Sequence, residues 1–143
     1  MTADELLEKG IALLEEDPLA ALSCFEKAHT LKDTPVIQSY LGMCIGTERG
    51  KVSYGIMLCT NAITLEPENQ IHYLNLGKIF VKAGRRAEAI ETFRKGLSFR
   101  DSVEIRRILD KLGTRKKPII PFLHRDNPLN KYSGILLRRL RLR

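Results

Sequence analysis

Three times, at intervals of 34 residues, the chain sets down a small residue, a bulky one, a small one, an apolar one and a terminator in the same order. Ala89, Phe93, Gly96, Phe99 and Asp101 form the last copy. Gly55, Cys59, Ala62, Leu65 and Pro67 form the middle one, and Ala21, Phe25, Ala28, Leu31 and Asp33 the first. A fixed period of this length means that one supersecondary unit is stacked on copies of itself. The unit is clearest over residues 70–103, where a turn at Gly84 separates two amphipathic patterns. Tyr73, Leu76, Gly77 and Phe80 fall three to four apart on the first, and Ala89, Ile90, Phe93, Gly96 and Leu97 do so on the second. That spacing gathers each set on one helical face. Small residues then stand where two helices cross closely, with large ones filling the space beside them.

This hairpin resembles a tetratricopeptide repeat. Tyr73, Leu76, Gly77, Phe80, Ala89, Phe93 and Gly96 occupy its signature positions, usually Trp, Leu, Gly, Tyr, Ala, Phe and Ala. The resemblance implies an all-α, right-handed superhelical stack of three helix-turn-helix repeats, spanning about 2–34, 35–69 and 70–103. A capping helix over about 102–112 closes a domain of residues 1–113. A basic, proline-containing extension, 114–143, follows. Gln38, Lys9 and Cys59 depart from the family pattern, and Gly42, Gly46, Gly50 and Gly55 lower helix propensity in the second repeat. That repeat is therefore expected to pack least tightly.

Local signals divide the helices. Thr2 and Glu5 have capping-box spacing, opening a helix expected to reach about Glu16. Asp17-Pro18 and Thr34-Pro35 each pair a cap with a proline at the first helical position. Gly50 breaks the third helix, and Ser53 is the expected cap of the fourth. Asp101 opens a seventh, with Ile105, Ile108, Leu109 and Leu112 on one face and Gly113 as its stop.

No run of 18 apolar residues spans a membrane. The acidic start lacks the apolar core of a secretory signal, so a cytoplasmic setting is expected. Cys24, Cys44 and Cys59 read as buried, reduced thiols. His29, His72 and His124 share no metal-ligand spacing, and no catalytic or nucleotide-binding motif occurs. Acidic residues at helix ends, Glu15, Glu16, Asp17, Glu66 and Glu68, read as solvated surface. No enzyme activity, small-molecule substrate, cofactor or metal is expected.

Binding is the expected role. The resemblance implies a concave groove lined by first helices. Carried over position by position, it comprises Asp4, Leu7, Glu8, Ile11, Leu14 and Glu15, then Val36, Ser39, Tyr40, Met43, Gly46 and Thr47, then Ile71, Leu74, Asn75, Lys78, Val81 and Lys82. The expected partner contacts among them are Leu7, Ile11, Leu14, Val36, Tyr40, Met43, Ile71, Leu74, Asn75, Lys78, Val81 and Lys82. Such an apolar lining asks to be covered by a peptide or helix of a partner protein. The family's carboxylate clamp for chaperone C-termini is absent, because Leu7, Ile11, Tyr40, Ile71 and Asn75 stand at its positions.

The charge is unevenly spread. Residues 114–143 hold nine basic residues against Asp126 alone, a net +8 in a chain whose total is +7. Within this tail, Ile119, Ile120, Phe122 and Leu123 form an apolar stretch bounded by prolines. It is expected to pack on the repeat body, either in the groove, from which a partner would displace it, or elsewhere against the seventh helix. Residues 128–141 read as an amphipathic helix bearing Arg138, Arg139 and Arg141. The alternative function is an electrostatic tether, with this tail binding an anionic membrane surface or nucleic acid.

Overall fold

Side-chain caps open the helices that begin at Ala3, Pro18, Pro35 and Gln70, whereas those at Val52 and Arg86 begin without one. In this computed structural model, which describes residues 1–114, seven helices follow one another. They are α1 (Ala3–Leu13), α2 (Pro18–Leu31), α3 (Pro35–Glu48), α4 (Val52–Leu65), α5 (Gln70–Lys82), α6 (Arg86–Phe99) and α7 (Val103–Thr114). Thr2 and Glu5 exchange both capping-box bonds, at 3.1 and 2.8 Å. Asp17 accepts from the Ala20 amide and Thr34 from the Ile37 amide, each ahead of a proline at the first turn. Gly50 and Gly84 turn the chain with φ of +72° and +78°, a region that other residues enter at a cost.

Three boundaries differ from expectation. The α1 helix stops at Leu13 rather than Glu16, because the chain is already turning toward the Asp17 cap. Ser53 does not cap α4: the helix begins one residue earlier, at Val52, and Lys51 precedes it without a side-chain cap bond. The seventh helix takes in Gly113 and runs to Thr114.

The contacts divide the chain into two units, Met1–Ser102 and Val103–Arg143. In the first, α1 pairs with α2, α3 with α4 and α5 with α6, and α3 also meets α2 and α5. This is the repeated helix-turn-helix arrangement that the period implies. Phe25 and Phe93, large residues of the repeated register, are fully buried, as are the small Ala21, Ala28, Ala62 and Ala89. In the second unit, α7 buries Ile105 and Leu112 and exposes Arg106, Arg107 and Asp110.

The expectation that the second hairpin packs most loosely is overturned. A Cβ on Gly55 would lie 2.5 Å from the Gly42 carbonyl oxygen, and one on Gly42 would lie 2.8 Å from the Gly55 oxygen. The glycines that weaken helix propensity let the α3 and α4 backbones touch. Propensity is a small local cost, and close backbone approach offsets it with tertiary packing.

Candidate functional site

The first helices of the three hairpins carry the residues expected to line a groove. On α1, Leu7 and Leu14, the latter just past the helix end, are half-buried, while Ile11 is 40% exposed. Val36 on α3 is half-buried. On α5, Ile71, Leu74 and Lys78 are half-buried, Val81 is 40% exposed and Lys82 is exposed. The apolar members thus keep part of their surface in solvent, and Lys78 and Lys82 are the charged members.

Three of the twelve expected partner contacts are buried. Tyr40 stacks on Phe25 with ring centroids 5.4 Å apart and an interplanar angle of 25°. Met43 is buried in the same helix. Asn75 is fully buried, its Nδ2 donating to Ser39 Oγ at 3.1 Å. The reason lies in α3, whose sequence PVIQSYLGMCIGTE is apolar nearly all round and is buried without interruption from Ser39 to Gly46. A helix of that kind belongs inside a protein. The tail residues Ile119, Ile120, Phe122, Leu123, Arg138, Arg139 and Arg141 lie outside the described residues.

Between α3, the end of α4 and α5 sits a polar cluster, in which Ser39 and Asn75, expected as groove positions, instead bond to buried partners. His72, on α5, has no exposed side-chain surface. Its Nδ1 lies 2.9 Å from Ser39 Oγ on α3, and its Nε2 lies 2.8 Å from Glu66 Oε1 at the end of α4. A carboxylate only accepts, so Nε2 carries the proton and neutral Nδ1 accepts from the Ser39 hydroxyl. Asn69 donates to the same Glu66 oxygen at 3.0 Å. The donors from His72 and Asn69 hold the Glu66 carboxyl below its usual range, while burial pushes His72 down. Glu66 is thus more than the solvated helix-end acid expected. The available signal was the register. Counted back by the 35 residues that separate Gly42 from Gly77, His72 falls on Ile37, a core residue. A histidine at a core position needs partners for both ring nitrogens.

Serine, histidine and carboxylate at these distances could form a nucleophilic triad. Ser39 is fully buried in mid-helix, however, and also accepts from Asn75, so no substrate carbonyl can reach it. The cluster therefore joins α3, α4 and α5. Nearby, Tyr73 donates to the Pro67 carbonyl at 2.5 Å and packs against Phe99 with centroids 5.5 Å apart. Gln70 donates to the carbonyls of Gly96, at 3.2 Å, and Arg100, tying the start of α5 to the end of α6.

Cys24, Cys44 and Cys59 are buried and free. Burial pushes the Cys44 and Cys59 thiols up to about 12, far from reactive thiolate. Among the described residues, no group of histidine, cysteine, aspartate or glutamate could hold a metal, and no helix is long and apolar enough to cross a membrane.

Paired helices in this order, with small residues at each crossing, define the tetratricopeptide-repeat fold. The first TPR of Spaghetti (RPAP3), solved bound to the HSP90 peptide SRMEEVD, has this fold with a TM-score of 0.62 at 19% identity. The alignment covers 80% of this chain and 94% of that one. The Sgt2 TPR domain from Aspergillus fumigatus aligns with a TM-score of 0.63 at 17% identity, over 79% of this chain and 78% of that one. No family model and no curated protein matches the sequence. At such identities the likeness carries the fold, and function must be argued from the site.

Proposed function

We propose that the chain is a non-catalytic interaction scaffold that seats an apolar peptide or helix of a partner protein on its first-helix face. The observation that carries this reading is the series Leu7, Ile11, Leu14, Val36, Ile71, Leu74 and Val81, apolar, half-buried or about 40% exposed, on α1 and just past its end, on α3 and on α5. Tyr40, Met43 and Asn75 support that face from below rather than touching the ligand. Lys78 and Lys82 add positive charge toward the end of α5, suited to an acidic group near one end of the partner segment.

The Spaghetti repeat was solved with a peptide rich in carboxylates. At the positions where the family's clamp holds such a peptide, this chain has Leu7, Ile11, Tyr40, Ile71 and Asn75. None of these five carries a positive charge to offset the desolvation of a buried carboxylate, so the ligand differs in chemistry from that peptide. The experiment compares partner capture by the full chain and by a Leu74→Lys/Val81→Lys variant. Both positions reach solvent, so the variant stays folded while losing capture. Capture by apolar contact persists in moderate salt. Capture that survives the double substitution but collapses with salt would instead favour the basic tail.

A further inference from the structure

We propose that Ser39 acts as the moving part of a proton-operated hydrogen-bond clip, through which His72 and Glu66 join the second hairpin to the third. The geometry gives the Ser39 hydroxyl two acceptors. His72 Nδ1 lies at 2.9 Å, and the Val36 carbonyl, one turn back on α3, lies at 3.4 Å. Asn75 Nδ2 donates to the same oxygen at 3.1 Å, and its own Oδ1 is buried with no hydrogen-bond partner among the described residues.

With His72 neutral, the chain of donors runs from Asn75 through Ser39 to His72 Nδ1, while Nε2–H donates to Glu66. When His72 takes up a proton, Nδ1 becomes a donor and can no longer accept. The Ser39 hydroxyl then rotates to the Val36 carbonyl, and its oxygen accepts from both His72 and Asn75. A hydroxyl has one donor and two acceptor sites, so this second arrangement is fully allowed. No heavy atom has to leave its place. The seam thus stays bonded in both protonation states, but the charged state buries a cation whose one charged partner in the cluster, Glu66, is 41% exposed.

The titratable neighbours are few. Glu66 comes from the end of α4, and its carboxylate raises the proton affinity of His72; burial lowers it, and burial is the larger effect. Cys59 of α4 donates to the Ser39 carbonyl at 3.4 Å, and Tyr73 precedes Asn75 on α5. Burial raises both of these groups, so each is uncharged at neutral pH. Val36, Ile71 and Leu74 stand on the two helices that the clip joins.

The test is nitrogen NMR of the histidine rings in the full chain, with the His72 signal assigned by its loss in His72→Gln. At pH 8 the proposal requires the Nε2–H tautomer, with Nδ1 as acceptor. In Asn75→Asp, a nearly isosteric change, the new carboxylate draws the Ser39 proton and obliges Nδ1 to donate. The His72 titration midpoint then rises by about one pH unit or more. An Nδ1–H tautomer in the natural chain, or a His72 midpoint that Asn75→Asp leaves in place, would overturn the clip. A Ser39→Ala chain gives the second reading. It removes the movable hydroxyl, and the Asn75 amide signals must then stop following the His72 titration.

Discussion

His72 Nδ1 and Ser39 Oγ, 33 residues apart in the chain, meet at 2.9 Å and bridge α5 to α3. Both side chains are fully buried. Their bond fastens the second hairpin to the third at a place where packing alone would favour an apolar pair.

Removing that bond from one side should be costly. Ser39→Ala leaves His72 Nδ1 and Asn75 Nδ2 buried without their partner. The expected loss is about 1–3 kcal/mol, read from the urea midpoint. A combined Ser39→Ala/His72→Leu chain should recover part of it, since no orphaned ring nitrogen remains. Equal loss in both chains would count against the bond as the cause.

Acidification should weaken the fold in a defined order. Burial lowers the folded-state proton affinity of His72 below the ordinary 6.5, so as pH falls through 6.5 the unfolded chain takes up a proton first. Stability contributed by neutral His72 is thus complete above 6.5 and is lost as pH drops toward the folded midpoint. The slope from this one group is about 1.4 kcal/mol per pH unit at most. Glu66, also lowered in the folded chain, adds a second loss beginning near 4.5. Thermal midpoints from pH 8 to 4 should follow this course, and His72→Gln should flatten the upper part.

The crossing of α5 and α6 tolerates no side chain at Gly77. A Cβ there would lie 2.2 Å from the Phe93 ring, which is fully buried and has nowhere to turn. Gly77→Ala should destabilise the chain by about 1–3 kcal/mol through overpacking. Shrinking the obstacle should help: Gly77→Ala/Phe93→Leu is expected to be more stable than the sum of its single changes predicts. Strict additivity in a denaturation cycle would contradict the contact.

Thiol chemistry offers a probe of opening. With Cys44 and Cys59 pushed up to about 12 and all three thiols buried, a disulfide reagent at pH 8 should react slowly with the native chain. Reaction should become rapid only in denaturant. Prompt labelling of two or more thiols in native buffer would mean that the second hairpin opens locally far more often than its packing implies.

Surface and support should separate cleanly on the first helices. Ile11→Lys and Val81→Lys, at positions 40% exposed, should change stability by about 0.5 kcal/mol or less. Tyr40→Lys should cost several-fold more, because it removes the stack on Phe25 and buries an ammonium. If Tyr40→Lys is as stable as Ile11→Lys, Tyr40 belongs to the binding face after all.

Much of this fold is legible along the chain because its determinants are local. Thr2 with Glu5, Asp17 with Pro18 and Thr34 with Pro35 announce helix starts through bonds that span three residues. The 34-residue register of Phe25, Cys59 and Phe93, all fully buried, announces how the hairpins nest. What needed three dimensions was the depth of each side chain. The groove positions repeat in sequence, yet Ile11 reaches solvent and Met43 does not, because α3 is enclosed by α2, α4 and α5. Glycines that look like weak points in α3 and α4 prove to be the contact itself. The partnership of Ser39, His72 and Glu66 lies beyond any local rule. Periodicity assigns a residue to a face, whereas burial and hydrogen bonding depend on which other faces close over it.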